Sequence, residues 1–354
     1  MKVRKFMPLI AAALIAVLTL ALGAGTGAAK SDVQAAPAKF KVTLVTDIGG
    51  LDDRSFNFLA NNGLQDAKRK LNVQGSVFIS KSDRDYIPNL TRAARDGSGL
   101  VIGVGFLMAD SVAKVAKRFP KTKFAIVDNS GVPAELKNGN PTNVRGLLFK
   151  EQEAGYLVGY LAALQSKNVP NSSGVIAAVG GLKIPPVDRF IAGYYVGAKK
   201  AFAAVKVEHS YSQDFVDQAK CKEAALNHIS NGATVVFQVA GQCGLGVLSA
   251  AKEKKVFGIG VDADQGYLGN HVLTSATKKV DVAVYKTIEA AKLQGAKFKT
   301  GFSAIFTVKN GGVGYGKIST RAQPSWRKAI ESIRTQIASG KIKVTAQSPP
   351  PTSG

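Results

Sequence analysis

The chain is 354 residues long and carries 47 Lys and Arg against 24 Asp and Glu, a formal charge of +23. At that length a single hydrophobic core stops growing, so two domains are expected. A strongly basic balance points to nucleic acid, an anionic surface or an acidic ligand. The positive residues are spread along the chain, however, with no basic run interleaved with aromatics and no helix-turn-helix or zinc spacing, which sets nucleic acid aside.

Lys2, Arg4 and Lys5 precede an uncharged apolar run, 7–22, and a small-residue stretch, 23–29. A basic end, an apolar middle and a small-residue exit make a secretory signal peptide. The run is shorter than the roughly 20 residues of a membrane span; an uncleaved anchor is the competing reading. Cleavage is expected after Ala29 or later, near Ala36, which makes 1–29 the leader and 30–39 a linker. No cysteine lies near that point, so no lipidated cysteine can form there. The protein is expected in the periplasm or on the outer face of the cell. Losing Lys2, Arg4 and Lys5 lowers +23 to about +20, read as a solvated surface suited to anionic envelope polymers.

Beyond the leader, apolar runs of strand length alternate with helical spacing. Strands are predicted at 41–46, 76–79, 100–104, 123–127 and 144–149, with helices at 56–71, 87–96 and 109–119 between them. The order then repeats. Helices are predicted at 152–165, 187–204, 217–231 and 244–254, and strands at 174–179, 207–211, 234–239 and 256–261. A short strand at 272–274 and a helix at 280–294 follow. Residues 302–308 and 311–316 read as a hairpin-like pair, 323–339 as a last helix, and 346–354 as a Pro-rich tail that does not pack. Continuous apolar strands separated by helices mean parallel sheets covered on both faces. The fold class is α/β, with two doubly wound lobes.

Open parallel sheets bind ligands at the carboxyl ends of their strands. The residues that follow the predicted strands are Asp47, then Gly105 and Phe106, then Asp128 and Asn129. In the second half they are Gly180 and Gly181, Ala240 and Gly241, and Asp262. Each is also an ordinary turn residue; their recurrence on one side of both lobes is the signal. In the first loop, Asp53 or Ser55 suits a helix N-cap as well as a ligand contact. Phe56 at the helix start is either a core anchor or a stacking platform. Cys221 and Cys243 are a candidate disulfide for an oxidising compartment, against two buried thiols; they are too few and too far apart to hold zinc. His209, His228 and His271 have no metal-ligand spacing. No phosphate loop, G-x-S-x-G elbow or C-x-x-C occurs, so neither catalysis nor a cofactor is expected.

The segment TDIGGLDDRSFN (46–57) resembles the opening signature of the basic membrane protein family of solute-binding proteins, the purine nucleoside receptor type. The likeness continues in order through GVGF (103–106), FAIVDN (124–129), GLLFKEQEAGYLVGYLAA (146–163) and GGLKIPPVDRFIAGYYVGAK (180–199). It runs on through VFQVAGQCGLGVLSAAKEK (236–254), GIGVDADQ (258–265) and LTSATKKVDVAVY (273–285), and covers about residues 40–345. The resemblance implies a type I periplasmic-binding-protein fold, two lobes joined by three crossover strands. It also implies a nucleoside in the cleft and an ABC permease as membrane partner. A sugar or other small polar metabolite, or a sensory role, are the alternatives. Many family members are lipoproteins; this chain lacks the lipidated cysteine, which leaves its attachment open.

Carried over, Asp47 and Asp128 are expected to accept from donors on the base, and Phe56 to stack on it. Phe237, or a neighbour in FQVAG, closes the other face. Asp262 takes two ribose hydroxyls, and Lys278, rather than Lys279, donates to ribose oxygens. Ser55, Asn57, Phe106 and Gly241 complete the expected contacts. Lobe 1 is expected at 40–148 and 272–299, and lobe 2 at 149–271 and 300–345, closing as a monomer about a hinge.

Overall fold

A computed structural model describes residues 38–131, 142–170 and 173–351. The leader expected at 1–29, and the linker as far as residue 37, lie outside the described residues. Residues 39–354 form a compact unit that contains every described strand and helix.

The first half runs β1 (Lys41–Val45), α1 (Phe56–Leu71), β2 (Gln74–Phe78), α2 (Tyr86–Arg95), β3 (Leu100–Gly103), α3 (Ala109–Arg118), β4 (Lys123–Val127) and β5 (Val144–Phe149). The second runs α4 (Glu151–Lys167), β6 (Val175–Gly180), α5 (Pro185–Ala201), β7 (Lys206–Tyr211), α6 (Gln218–Ser230), β8 (Ala233–Val239), α7 (Gly244–Glu253) and β9 (Phe257–Asp262). The chain ends β10 (Val272–Lys278), α8 (Val280–Gln294), β11 (Ser303–Phe306), β12 (Val313–Tyr315) and α9 (Pro324–Ala338). Two six-stranded sheets result, ordered β11-β5-β4-β3-β1-β2 and β12-β10-β9-β8-β6-β7. All pairings are parallel except that of β10 with β12.

Side chains alternate across each strand, so each sheet feeds two layers of core. In the first sheet Leu44, Ile102 and Val127 meet α1 and α8, while Val45, Val101 and Ile126 meet α2 and α3. In the second, Ile176, Val235 and Ile259 meet α4, α5 and α9, while Val175, Val179 and Val236 meet α6 and α7. The inner layers of both lobes belong to one continuous cluster that includes Phe149 at the crossing.

The chain passes between the sheets three times, but not where the sequence places two of the passages. The first, from β5 into α4, lies beside Lys150. β10 extends through Lys278 and pairs with β9, so 272–278 belongs to the second lobe rather than the first. The next crossing therefore falls at Lys279, and α8 packs on the first lobe. β11 pairs in parallel with β5, whereas β12 pairs with β10 in the other sheet. The expected hairpin of 302–308 with 311–316 is therefore the third crossing instead. Short apolar runs report burial, not partners. The tail also differs: Pro349, Pro350 and Pro351 lie in a surface groove with Lys183, His209 and Tyr211, and Gln152 donates to the Val344 carbonyl at 3.5 Å. Residues 352–354 lie outside the described residues.

Two close approaches tie the second lobe together. A Cβ on Gly155, Gly159, Gly193 or Gly197 would sit 2.0–2.1 Å from a carbonyl oxygen of the facing helix, so α4 and α5 touch backbone to backbone. At the other face Cys221, in the first turn of α6, and Cys243, beside the start of α7, form a disulfide with Cα atoms 5.5 Å apart. Gly246 lets the two helix starts meet, since a Cβ there would lie 2.0 Å from the Gln218 carbonyl oxygen. For a sequence separation of 22 the loop-closure term is about 3 kcal/mol. Reduction, or replacement of both cysteines by serine, is expected to lower the urea unfolding free energy by about that amount. An unchanged midpoint after reduction would show that the bridge contributes nothing.

Candidate functional site

The carboxyl ends of both sheets face a narrow cleft lined by residues of both lobes, where ligands of open parallel sheets bind. The β1–α1 loop contributes Asp47, Asp53, Phe56 and Asn57, and the loops after β3 and β4 contribute Phe106 and Asp128. The second lobe contributes Phe190, Phe215, Gly241, Gln242, Asp262 and Lys278. Its walls thus combine aromatic rings with acceptor-only carboxylates and one ammonium.

Asp47 receives the Tyr86 hydroxyl proton and the Ile48 N–H at 2.8 Å, while its own N–H donates to Asn57 Oδ1 at 3.1 Å. Burial lifts its carboxyl to about 6, against those hydrogen bonds. Asp53 accepts from the N–H groups of Ser55 at 3.1 Å, Asn57 at 2.7 Å and Phe58 at 3.0 Å. It is Asp53, therefore, that satisfies the open amides of α1. The Ser55 hydroxyl instead donates across the cleft to Asp262 Oδ2 at 2.9 Å, and Ser55 does not line the cavity.

Asp128 and Asp262 both have positive φ, 69° and 60°, a region that Asp tolerates at a cost and that recurs at functional sites. Each ends a central strand and turns its carboxylate inward. Burial lifts Asp262 to about 7, against the pull of Lys278 and the Ser55 hydrogen bond. Burial also raises Asp128, with Lys278 opposing.

Lys278 is 2 % exposed, whereas Lys279 is exposed. The Lys278 ammonium lies 2.6 and 2.8 Å from the two Asp128 oxygens and 3.1 Å from Glu151 Oε1. It also lies 5.1 Å from the centre of the Phe56 ring and 4.9 Å from that of Phe149. Burial works against its proton, but Asp128, Glu151 and Asp262 outweigh burial and hold the ammonium above its usual range. Glu151, fully buried, takes a further contact from Arg189 Nε at 2.7 Å. A chain of alternating charge, Asp128–Lys278–Glu151–Arg189, thus runs from the first lobe into the second.

The cavity brings together Asp47, Phe56, Asn57, Phe106, Asp128, Gly241, Asp262 and Lys278. It does not include Phe237, which is fully buried and packs on Tyr194 at 5.2 Å and Phe190 at 6.2 Å between ring centres. β8 alternates, and Phe237 falls on its core side. The second-lobe rings at the cavity are Phe190 and Phe215 instead. Phe215 sits in the loop after β7, where the strand-end rule points; Glu151 and Arg189 have no local signal. Among the described residues no group of three or more His, Cys, Asp or Glu is arranged to hold a metal.

Residues 40–348 match the family described as ABC transporter substrate-binding protein PnrA-like. The chain belongs to that family. It is 35% identical to the ABC transporter nucleoside-binding protein BmpA of Lactococcus lactis subsp. cremoris, over 96% of this chain and 99% of that one. It is 31% identical to basic membrane protein A1 of Borrelia garinii subsp. bavariensis, over 90% of each chain. A solute-binding protein of an ABC transporter system from Aeropyrum pernix K1 superposes with a TM-score of 0.76 at 28% identity, covering 86% of this chain and 92% of that one. The two mostly parallel sheets are therefore the periplasmic-binding-protein fold of the PnrA-like family.

Lys278→Met leaves Asp128 and Glu151 without their shared cation. Removing one partner from a buried ion pair costs about 3–5 kcal/mol. Asp128, already raised by burial with Lys278 opposing, then binds its proton more readily folded than unfolded, so the variant's stability is expected to rise as pH falls through the acidic range. Urea unfolding across that range checks it; a loss that does not change with pH would show that the carboxylates do not depend on Lys278.

Proposed function

We propose that this PnrA-like substrate-binding protein works outside the cytoplasm, binds a purine nucleoside between its lobes and delivers it to an ABC permease. The supporting observation is the set of groups in one cleft: a ring at a helix start, Phe56, faced by acceptor-only carboxylates from both lobes. Ionised carboxylates suit the N–H groups of a purine and the paired hydroxyls of a ribose. Asp47 and Asp128 take the base edge, Asp262 takes the diol, and Lys278 donates to ribose oxygens. Phe56 stacks on the base, worth roughly 1–3 kcal/mol, with Phe215 or Phe190 on the second-lobe side. Ser55 holds Asp262 rather than the ligand. The nucleoside-binding relative from Lactococcus lactis supports the ligand class. The protein binds without turnover, as a monomer, and no cofactor takes part.

Calorimetry with adenosine, guanosine, inosine and ribose tests this reading; binding of ribose with none of the nucleosides would sink it. Asp262→Asn is expected to weaken binding tenfold or more, since a hydrogen bond to a charged group contributes about 1.5–3 kcal/mol. A change under about threefold would remove Asp262 from the site.

The pH dependence has a fixed sign. Two ribose hydroxyls donate more strongly to ionised Asp262 than to its protonated form, so the ligand lowers a pKa that burial holds at about 7. Affinity is expected to be full above about pH 7 and to fall as pH drops below it, with protons released on binding. Calorimetry in buffers of different ionisation enthalpy reads the release directly, and proton uptake would contradict the assignment. Because the site draws on both lobes, the ligand favours the closed arrangement. Small-angle scattering should show a smaller radius of gyration with nucleoside; an unchanged profile would mean a cleft already closed without ligand or a site confined to one lobe.

A further inference from the structure

The surface charge of the first lobe is uneven along its strand axis. Where its strands end the surface charge is nearly balanced: Asp52, Asp83, Asp85 and Asp110 stand beside Arg54, Lys81 and Arg84, and Asp47 and Asp53 are buried at the cleft. Basic residues gather at the opposite end, where strands begin and helices finish. Lys68, Arg69 and Lys70 close α1, Arg92 and Arg95 close α2, and Lys117 and Arg118 close α3. Lys39, Lys41, Lys121, Lys297 and Lys299 lie in the connecting segments or at a strand start, and all are exposed.

These residues form one contiguous face. Lys292 donates to the Leu71 carbonyl, joining the ends of α8 and α1. Lys41 reaches the Asp96 carbonyl at 3.3 Å, joining the start of β1 to the end of α2. Lys123 reaches the Gly295 carbonyl at 2.6 Å, and Arg118 donates to Thr91 Oγ1 at 2.7 Å, joining α3 to α2. The acidic side chains there, Asp66 and Asp96, pair with Arg69, Lys70 and Arg92. Last-turn cations are expected from the helix dipole alone, but that does not account for Lys39, Lys41, Lys121, Lys297 and Lys299, which lie outside the described α-helices.

Two further observations choose the partner. Leu293, in the last turn of α8 beside Lys292, is 72 % exposed. The far end of the second lobe is also basic, yet Val196, in the last turns of its α5, is 40 % exposed, and Glu253 there pairs with Lys222 and Lys254. Lys39, where the described fold begins, adds its charge to this face. We infer that this face is a docking surface for an anionic phospholipid bilayer. Its cations sit over the head groups, Leu293 enters the interface, and the acidic cleft is turned away from the negative surface. It retains a chain that has no lipidated cysteine.

Sedimentation of residues 39–354 with vesicles of phosphatidylglycerol and phosphatidylcholine, against phosphatidylcholine alone, tests the assignment without reference to any nucleoside. Binding is expected to the anionic vesicles only, and to be lost as salt rises from about 0.1 M to about 1 M. Replacing Lys117, Lys121, Lys297 and Lys299 by Gln should weaken binding by roughly fivefold per lysine. The same change at Lys200, Lys206, Lys252 and Lys255 of the second lobe should have little effect. Leu293→Ser, at an exposed position with no packing to lose, should weaken it further. Equal losses in the two lysine sets would reduce the effect to net charge. Equal binding to a soluble polyglycerol phosphate, indifferent to Leu293→Ser, would assign the face to a polymer. Either result overturns the bilayer assignment.

Discussion

The structure depends on one buried ammonium. Lys278 is the last residue of β10, on the second passage between lobes, and its charge is met by Asp128 of the first lobe and by Glu151 beside the first passage. A lone buried cation would cost several kcal/mol or lose its proton. Here two carboxylates within 3.1 Å compensate it, and three aromatic rings surround it. In this arrangement of the lobes Lys278 keeps its charge because those carboxylates stand in for water around it. The lobe arrangement and the cleft's one cation are therefore a single constraint.

The first turn of α4 carries that constraint to the rest of the hinge. Glu151 meets Lys278 of the second passage, and Glu153 accepts the Val308 N–H of the third at 2.7 Å. The Lys150 N–H donates to the Phe306 carbonyl at 2.9 Å, and the Phe149 and Phe306 rings stack at 4.9 Å between centres. Three passages thus converge on one helix start, where the dipole favours both glutamates. The glycine seam between α4 and α5 brings Arg189 within reach of Glu151, so a backbone feature far from the cleft sets the charge balance inside it.

Much of this architecture is legible in the sequence, and the losses have physical causes. Runs such as KFAIV and VVFQV announce parallel strands because both of their faces are covered. Hydropathy ends β10 early because its second half, Ser-Ala-Thr-Lys, is mostly polar; Ser275 is buried but accepts the Gln265 N–H and Lys278 is buried but ion-paired, and hydropathy does not register that. β11 and β12 read as a hairpin because Gly311 and Gly312 signal a turn, whereas each strand pairs with a partner far away in sequence. Phe237 is expected at the site only through the family resemblance, and register places it on the core face of β8 instead. Strand-end position alone points to Asp47, Asp128 and Asp262. It does not point to Glu151 and Arg189, since an ion pair spanning 38 residues leaves no local trace.

The acidic cleft and the basic poles have a common origin. In a parallel lobe every helix starts at the end where strands finish and ends where the next strand begins. Helix starts favour acids and turn formers, and helix ends favour bases. In the first lobe that preference accounts for Asp53 before α1, Asp85 before α2 and Asp110 in the first turn of α3, and for Lys70, Arg95 and Arg118 at the helix ends; Asp47 and Asp128 come from strand ends instead. Their surroundings then divide the acids by role. Asp53 is committed to the amides of α1, while Asp47 and Asp262, lifted to about 6 and about 7, keep oxygens facing the cavity. Burial raises all three, and geometry separates them: three backbone N–H groups occupy Asp53, while Asp47 and Asp262 line the cavity. Fold topology supplies the acids, and geometry leaves some of them for a ligand.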